Sequence, residues 1–184
     1  HGAVLDYFIA VEGPNSDKGA ALGALGAAYD AQGRSMHIAI PLFQELDPTD
    51  EVQAARCIEV ATRIRESARM PAGAAIQLGI AMLTLKKWDD LLELSRDATN
   101  QFGDNKRLKA FEGLALEQLD RTDEAREVLE RMLDGGVADS LALNTYVNIM
   151  VRWGFVDEAT RAAEQILQAA RRDDKKMECI RLLF

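Results

Sequence analysis

The side chains best suited to nucleophilic, acid–base or metal chemistry in this 184-residue chain are two histidines and two cysteines. His1 opens the chain and His37 lies between Met36 and Ile38, while Cys57 and Cys179 are far apart in sequence. A nucleophile needs a base within hydrogen-bond reach and a third group to orient that base. Cys57 and His37 offer the residue types and nothing more. Neither cysteine has the paired spacing of a zinc or redox site, so both are expected as reduced core thiols. Carboxylates are many, but Asp89-Asp90, Asp123-Glu124 and Asp157-Glu158 fall where helices are expected to begin. There they cap free N–H groups and complement the helix dipole, which accounts for them without an acid–base role. Gly23, Gly26 and Gly33 lack the spacing of a dinucleotide-binding loop and follow no strand, so helix packing is their expected use. The cations Arg171, Arg172, Lys175 and Lys176 flank Asp173-Asp174 at an expected helix end, where positive charge is favoured. Arg63, Arg65 and Arg69 read the same way. These residues point away from an enzyme: no catalytic residue, metal or cofactor is expected.

The bulk of the chain narrows the classes of fold and partner. Hydrophobic residues make up 48% and charged residues 28%, enough to build a core beneath a solvated surface. A net charge of -8 opposes phosphate binding, so nucleic acid is not an expected partner. No apolar run reaches the roughly 18 residues a membrane span needs, and no secretory pattern opens the chain. A cytoplasmic protein is expected. The chain begins His-Gly and ends Ile-Arg-Leu-Leu-Phe, which suggests a piece of a longer protein.

Such residues must be positioned by helices. From Asp17 to Gln32 the apolar residues Ala21, Leu22, Leu25, Ala28 and Tyr29 step by three and four, the period of one helix face. Gly33 stands where a helix commonly stops. A second helix is expected over 35–46, with Pro41 inside it and Asp47-Pro48 ending it. Thr49 and Asp50 offer caps for a third helix over 51–69. Further helices are expected at 72–85, 88–101, 105–119, 122–133, 139–152 and 156–171, with a terminal one at 173–184. Short breaks at Lys86-Lys87, Gly103-Asp104, Asp120-Arg121, Gly135-Gly136 and Gly154 join them as antiparallel neighbours. Residues 1–16 are apolar in places and read as the end of a preceding helix.

Four series of residues repeat in one register of 34. Gly79, Gly113 and Val147 form one; Leu91, Ala125 and Ala159 another. Met82, Leu116 and Met150 form a third, and Leu85, Leu119 and Trp153 a fourth. Leu22-x2-Leu25-Gly26-x2-Tyr29 and the runs Asp123-Glu124-Ala125 and Asp157-Glu158-Ala159 complete a pattern that resembles the tetratricopeptide repeat (TPR). The resemblance implies an all-α, antiparallel helix-hairpin solenoid, a TPR-like superhelix. Its units would span about 17–48, 72–104, 105–138 and 139–172. The helix at 51–69 interrupts that register, as an extra helix without a partner or a degenerate half-repeat.

The resemblance also implies a function. First helices of TPR hairpins line a concave groove that binds a protein or peptide. By phase, that face takes Ile76, Ile80 and Leu83, then Arg107, Ala110, Leu114 and Gln118, then Leu141, Asn144, Asn148, Val151 and Arg152. Arg107, Asn144 and Asn148 supply part of the set with which one TPR subgroup grips a C-terminal carboxylate, and its lysines are absent. The expected function is a protein–protein interaction module whose partner is a polypeptide. The alternative is a regulatory or architectural segment of a larger enzyme or signalling protein, its groove filled in cis.

Overall fold

The computed structural model describes residues 17–67, 70–103, 105–133 and 140–170. The expected N-terminal segment 1–16 and terminal helix 173–184 lie outside them. The described residues form nine α-helices and no strand. These are α1 (Lys18–Ala31), α2 (Met36–Glu45), α3 (Glu51–Ser67), α4 (Ala72–Thr84), α5 (Trp88–Phe102), α6 (Lys106–Gln118), α7 (Thr122–Leu133), α8 (Ser140–Arg152) and α9 (Val156–Ala170). The chain divides into two compact units, His1–Lys87 and Trp88–Phe184. That boundary falls inside the expected repeat 72–104, leaving α4 in the first unit and α5 in the second.

In the first unit α1 starts at Asp17, whose carboxylate accepts the Ala20 N–H at 3.0 Å. It stops where Gly33 and Arg34 both take positive φ and the Arg34 N–H returns to the Tyr29 carbonyl at 2.9 Å. Pro41 sits within α2, which remains short at ten residues. Asp47 then turns the chain by accepting the Thr49 N–H at 2.8 Å and its hydroxyl at 2.7 Å. Asp50 accepts the Gln53 N–H at 2.9 Å and opens α3.

The structure gives α3 its partners. Ala54, Cys57, Val60, Ala61 and Ile64 form a buried stripe along it, and it packs on both α2 and α4. A helix that interrupts the sequence register is therefore a full member of the unit. Side chains then tie α4 back to the α2–α3 corner. Gln77 Nε2 donates to the carbonyls of Phe43 at 2.6 Å and Leu46 at 3.1 Å, and the Thr84 hydroxyl to that of Pro48 at 2.8 Å.

In the second unit α6 is central and packs on α5, α7 and α8, while α8 also packs on α9. The α6–α7 crossing is close: a Cβ added to Gly113 would lie 2.6 Å from Leu129 Cδ2. Ala125 and Ala159, the small residues of the repeat, are buried. Leu129, Met132, Ala142, Leu143, Tyr146 and Ile149 belong to the core that joins α6–α9.

The repeat is plainest at the helix ends. Lys86, Asp120 and Gly154, each 34 residues from the next, all adopt positive φ, at 54°, 59° and 82°. Each is followed by an N–H that returns to the helix: Lys87 to the Met82 carbonyl, Arg121 to Leu116 and Phe155 to Met150, all at 2.9 Å. One left-handed residue and two carbonyl-satisfying bonds thus end α4, α6 and α8 alike.

Candidate functional site

Candidate chemistry is weak on geometric grounds. Cys57 is fully buried, and burial pushes its thiol up to about 11, with the Asp47 carboxylate adding to the rise and a Gln77 hydrogen bond opposing it. A thiol so placed is protonated at neutral pH and is a poor nucleophile. His37 is exposed on α2. Among the described residues no group of three His, Cys, Asp or Glu side chains is placed to hold a metal ion. No described helix is long and apolar enough to cross a membrane.

The expected binding residues of the second unit lie on α6 and α8. Asn144 and Asn148, one turn apart on α8, bond to each other, Asn148 Nδ2 donating to Asn144 Oδ1 at 3.0 Å. That contact leaves an amide N–H on Asn144 and a carbonyl on Asn148. Arg152, at the end of α8, donates to Glu117 Oε2 of α6 at 2.7 Å, and Gln118 Nε2 donates to the same oxygen at 3.0 Å. Glu117 is mostly covered, its side chain 10% exposed, so it fixes two exposed side chains at the ends of adjacent helices. The phase of the repeat does not single out Glu117; only its contact with Arg152, 35 residues on, marks it.

Arg107 is exposed in the first turn of α6, its N–H held by the Asn105 carboxamide at 3.1 Å. Leu114 is half-buried and packs against the core, so it is shared between core and surface. Ala110, placed by phase with the groove, is instead core at 1% exposure, because α8 crosses α6 there. The Leu141 side chain lies outside the described residues. Ile76 and Ile80 sit half-buried on α4 in the first unit.

The first unit holds a groove that the sequence does not announce. It has a volume of about 600 Å³ and runs between α1 and α3 over a floor of Leu42 and Leu46. Its α1 wall is Gly19, Leu22, Gly23 and Gly26. A Cβ built on Gly23 or Gly26 would meet no described atom within 4 Å, so among the described residues these glycines widen the groove and pack against no helix. Val52 stands 80% exposed on the α3 wall. At the far end Arg56 donates to Asp30 at 2.6 Å and Glu59 at 2.5 Å, its guanidinium 5.2 Å from the centre of the Tyr29 ring.

The architecture defined by these helices is that of a TPR-like helical repeat. No protein-family model matches the chain, and no curated protein matches it. Solved structures do. "Crystal structure of MamA" superposes with a TM-score of 0.64 at 17% identity, covering 84% of this chain and 90% of that one. "MamA AMB-1" superposes in two crystal forms with a TM-score of 0.60 at 20% identity, covering 89% and 90% of this chain and 85% and 97% of the others. MamA is itself a TPR-like helical-repeat protein. At such identity the likeness shows the fold alone.

Proposed function

We propose that this chain is an interaction module that holds a protein or peptide along the first helices of its repeat units, without chemistry of its own. The observation that carries this reading is the Asn144–Asn148 pair on α8. A polypeptide backbone offers one donor and one acceptor per residue, and the pair presents one acceptor and one donor in return. Beside it, Arg152 and Gln118 are held in register by Glu117. Leu114 supplies apolar area between the polar groups, and Arg107 extends the face towards the start of α6. In the first unit, Ile76 and Ile80 on α4 are the residues that the same phase assigns to a partner. The likeness to MamA supports the repeat architecture, and the net charge of -8 favours a protein partner over nucleic acid. A cytoplasmic setting belongs to the same proposal.

The test replaces both asparagines by Ala. Partners are first recovered by crosslinking, then titrated by calorimetry into wild type and variant. Binding should weaken by up to about a hundredfold, the loss expected for two hydrogen bonds at about 0.5–1.5 kcal/mol each, with the melting temperature unchanged. Wild-type affinity in a folded variant would move the site elsewhere. Leu114→Glu is the poorer test, since a charge at a core-packed position also unsettles the fold.

A further inference from the structure

We propose that the α1–α3 groove of the first unit receives an amphipathic helix of a partner protein, apolar along one stripe and basic at one end. This extends the interaction reading to a second surface and names the chemistry of its occupant. The groove is apolar where a helix would press, with Leu22, Leu42, Leu46 and Val52 lining it. Gly23 and Gly26 lie one turn apart on its wall with no described atom within 4 Å of an added Cβ, which lets another backbone approach closely. An amphipathic helix in an apolar groove needs both features.

Charge selects the occupant. The salt bridge of Lys18 with Glu45 at 3.5 Å brings the start of α1 beside the end of α2, where the chain turns into α3. Asp17, Asp47, Asp50 and Glu51 are all exposed around that end. The cations bordering the groove are already engaged, Lys18 by Glu45 and Arg56 by Asp30 and Glu59. The N-termini of α1 and α3 offset only about half a charge each. One end of the groove is therefore net negative and favours Lys or Arg on its guest. The same charge argues against a second copy as the occupant, since each copy brings a net charge of -8.

Two labelled helical peptides of about 15 residues, close to the length of α1, provide the probe. They share one leucine stripe and differ in carrying four lysines or four glutamates at one end. By fluorescence anisotropy the lysine peptide should bind at least about tenfold more tightly at low salt, and the preference should fade near 1 M salt, where screening acts within about 3 Å. Gly23→Gln with Gly26→Gln fills the groove without adding charge and should abolish binding of both peptides while the helical melt is retained. Asp50→Asn with Glu51→Gln keeps the cap and should reduce the preference for lysine severalfold while leaving binding of the glutamate peptide unweakened. Equal binding of the two peptides overturns the proposal, as does binding that survives the Gln substitutions. Absence of binding to wild type overturns it too, since the groove would then be closed by the chain itself or by a second copy. Binding lost in the Asn144→Ala, Asn148→Ala variant and kept in the Gln variant would place the site on α8 and leave the earlier reading standing.

Discussion

Glycine does two opposite things here, and substitution separates them. At Gly113 the partner helix leaves no room, since an added Cβ would meet Leu129 at 2.6 Å. Gly113→Ala should cost about 1–3 kcal/mol through overpacking, read from a denaturant melt. Gly23 lies in a helix interior where an added Cβ meets no described atom within 4 Å, so Gly23→Ala should stabilise by roughly 0.5–1 kcal/mol by removing backbone freedom from the unfolded chain. The sequence marks both as small residues in a helix and does not say which one is crowded, because crowding depends on a side chain sixteen positions away. Cys57 gives a third residue-scale expectation. Its folded thiol is raised towards about 11 from an ordinary 9.0. The neutral form is the one the fold favours, so its contribution to stability is complete below pH 9 and declines as pH rises towards 11. Native protein should leave Cys57 unalkylated at pH 7 while unfolded protein is labelled there, as peptide mass mapping would show. Labelling in the native state at the unfolded rate would contradict its burial.

At the scale of the element, periodicity made most of the helices legible. Apolar steps of three and four gave α1 from Asp17, and the Asp-Glu-Ala runs gave the starts of α7 and α9. The breaks at Lys86, Asp120 and Gly154 were also readable as connections. Their common left-handed backbone was not, because only one of the three is glycine. A side chain at positive φ is strained by about 1 kcal/mol. Lys86→Gly and Asp120→Gly should therefore raise stability by about 0.5–1 kcal/mol, whereas Gly154→Ala should lower it by about 1 kcal/mol. Thermal melts of the three variants check the shared turn; the same sign in all three would refute it. The partners of α3 were illegible for a different reason. The helix lies out of the repeat register, so no internal comparison assigns its stripe from Ala54 to Ile64 a neighbour, and tertiary packing alone supplies one.

At the scale of the molecule, the all-helical repeat and its TPR-like character follow from the 34-residue register, and MamA shares that architecture. The candidate site was legible only in part. Phase named the residues of α6 and α8, but the packing of α8 on α6 withdrew Ala110 into the core and divided Leu114 between core and surface. The α1–α3 groove escaped notice because three of the four residues of its α1 wall are glycines, which carry no side-chain signal of a surface. The central claim is that partners are held by the first helices of the repeats. Hydrogen–deuterium exchange on the complex with a crosslinked partner tests it most directly. Slowed exchange should appear in α6 and α8 on binding, with α7 and α9 unchanged. Protection confined to α7 and α9 would contradict the account.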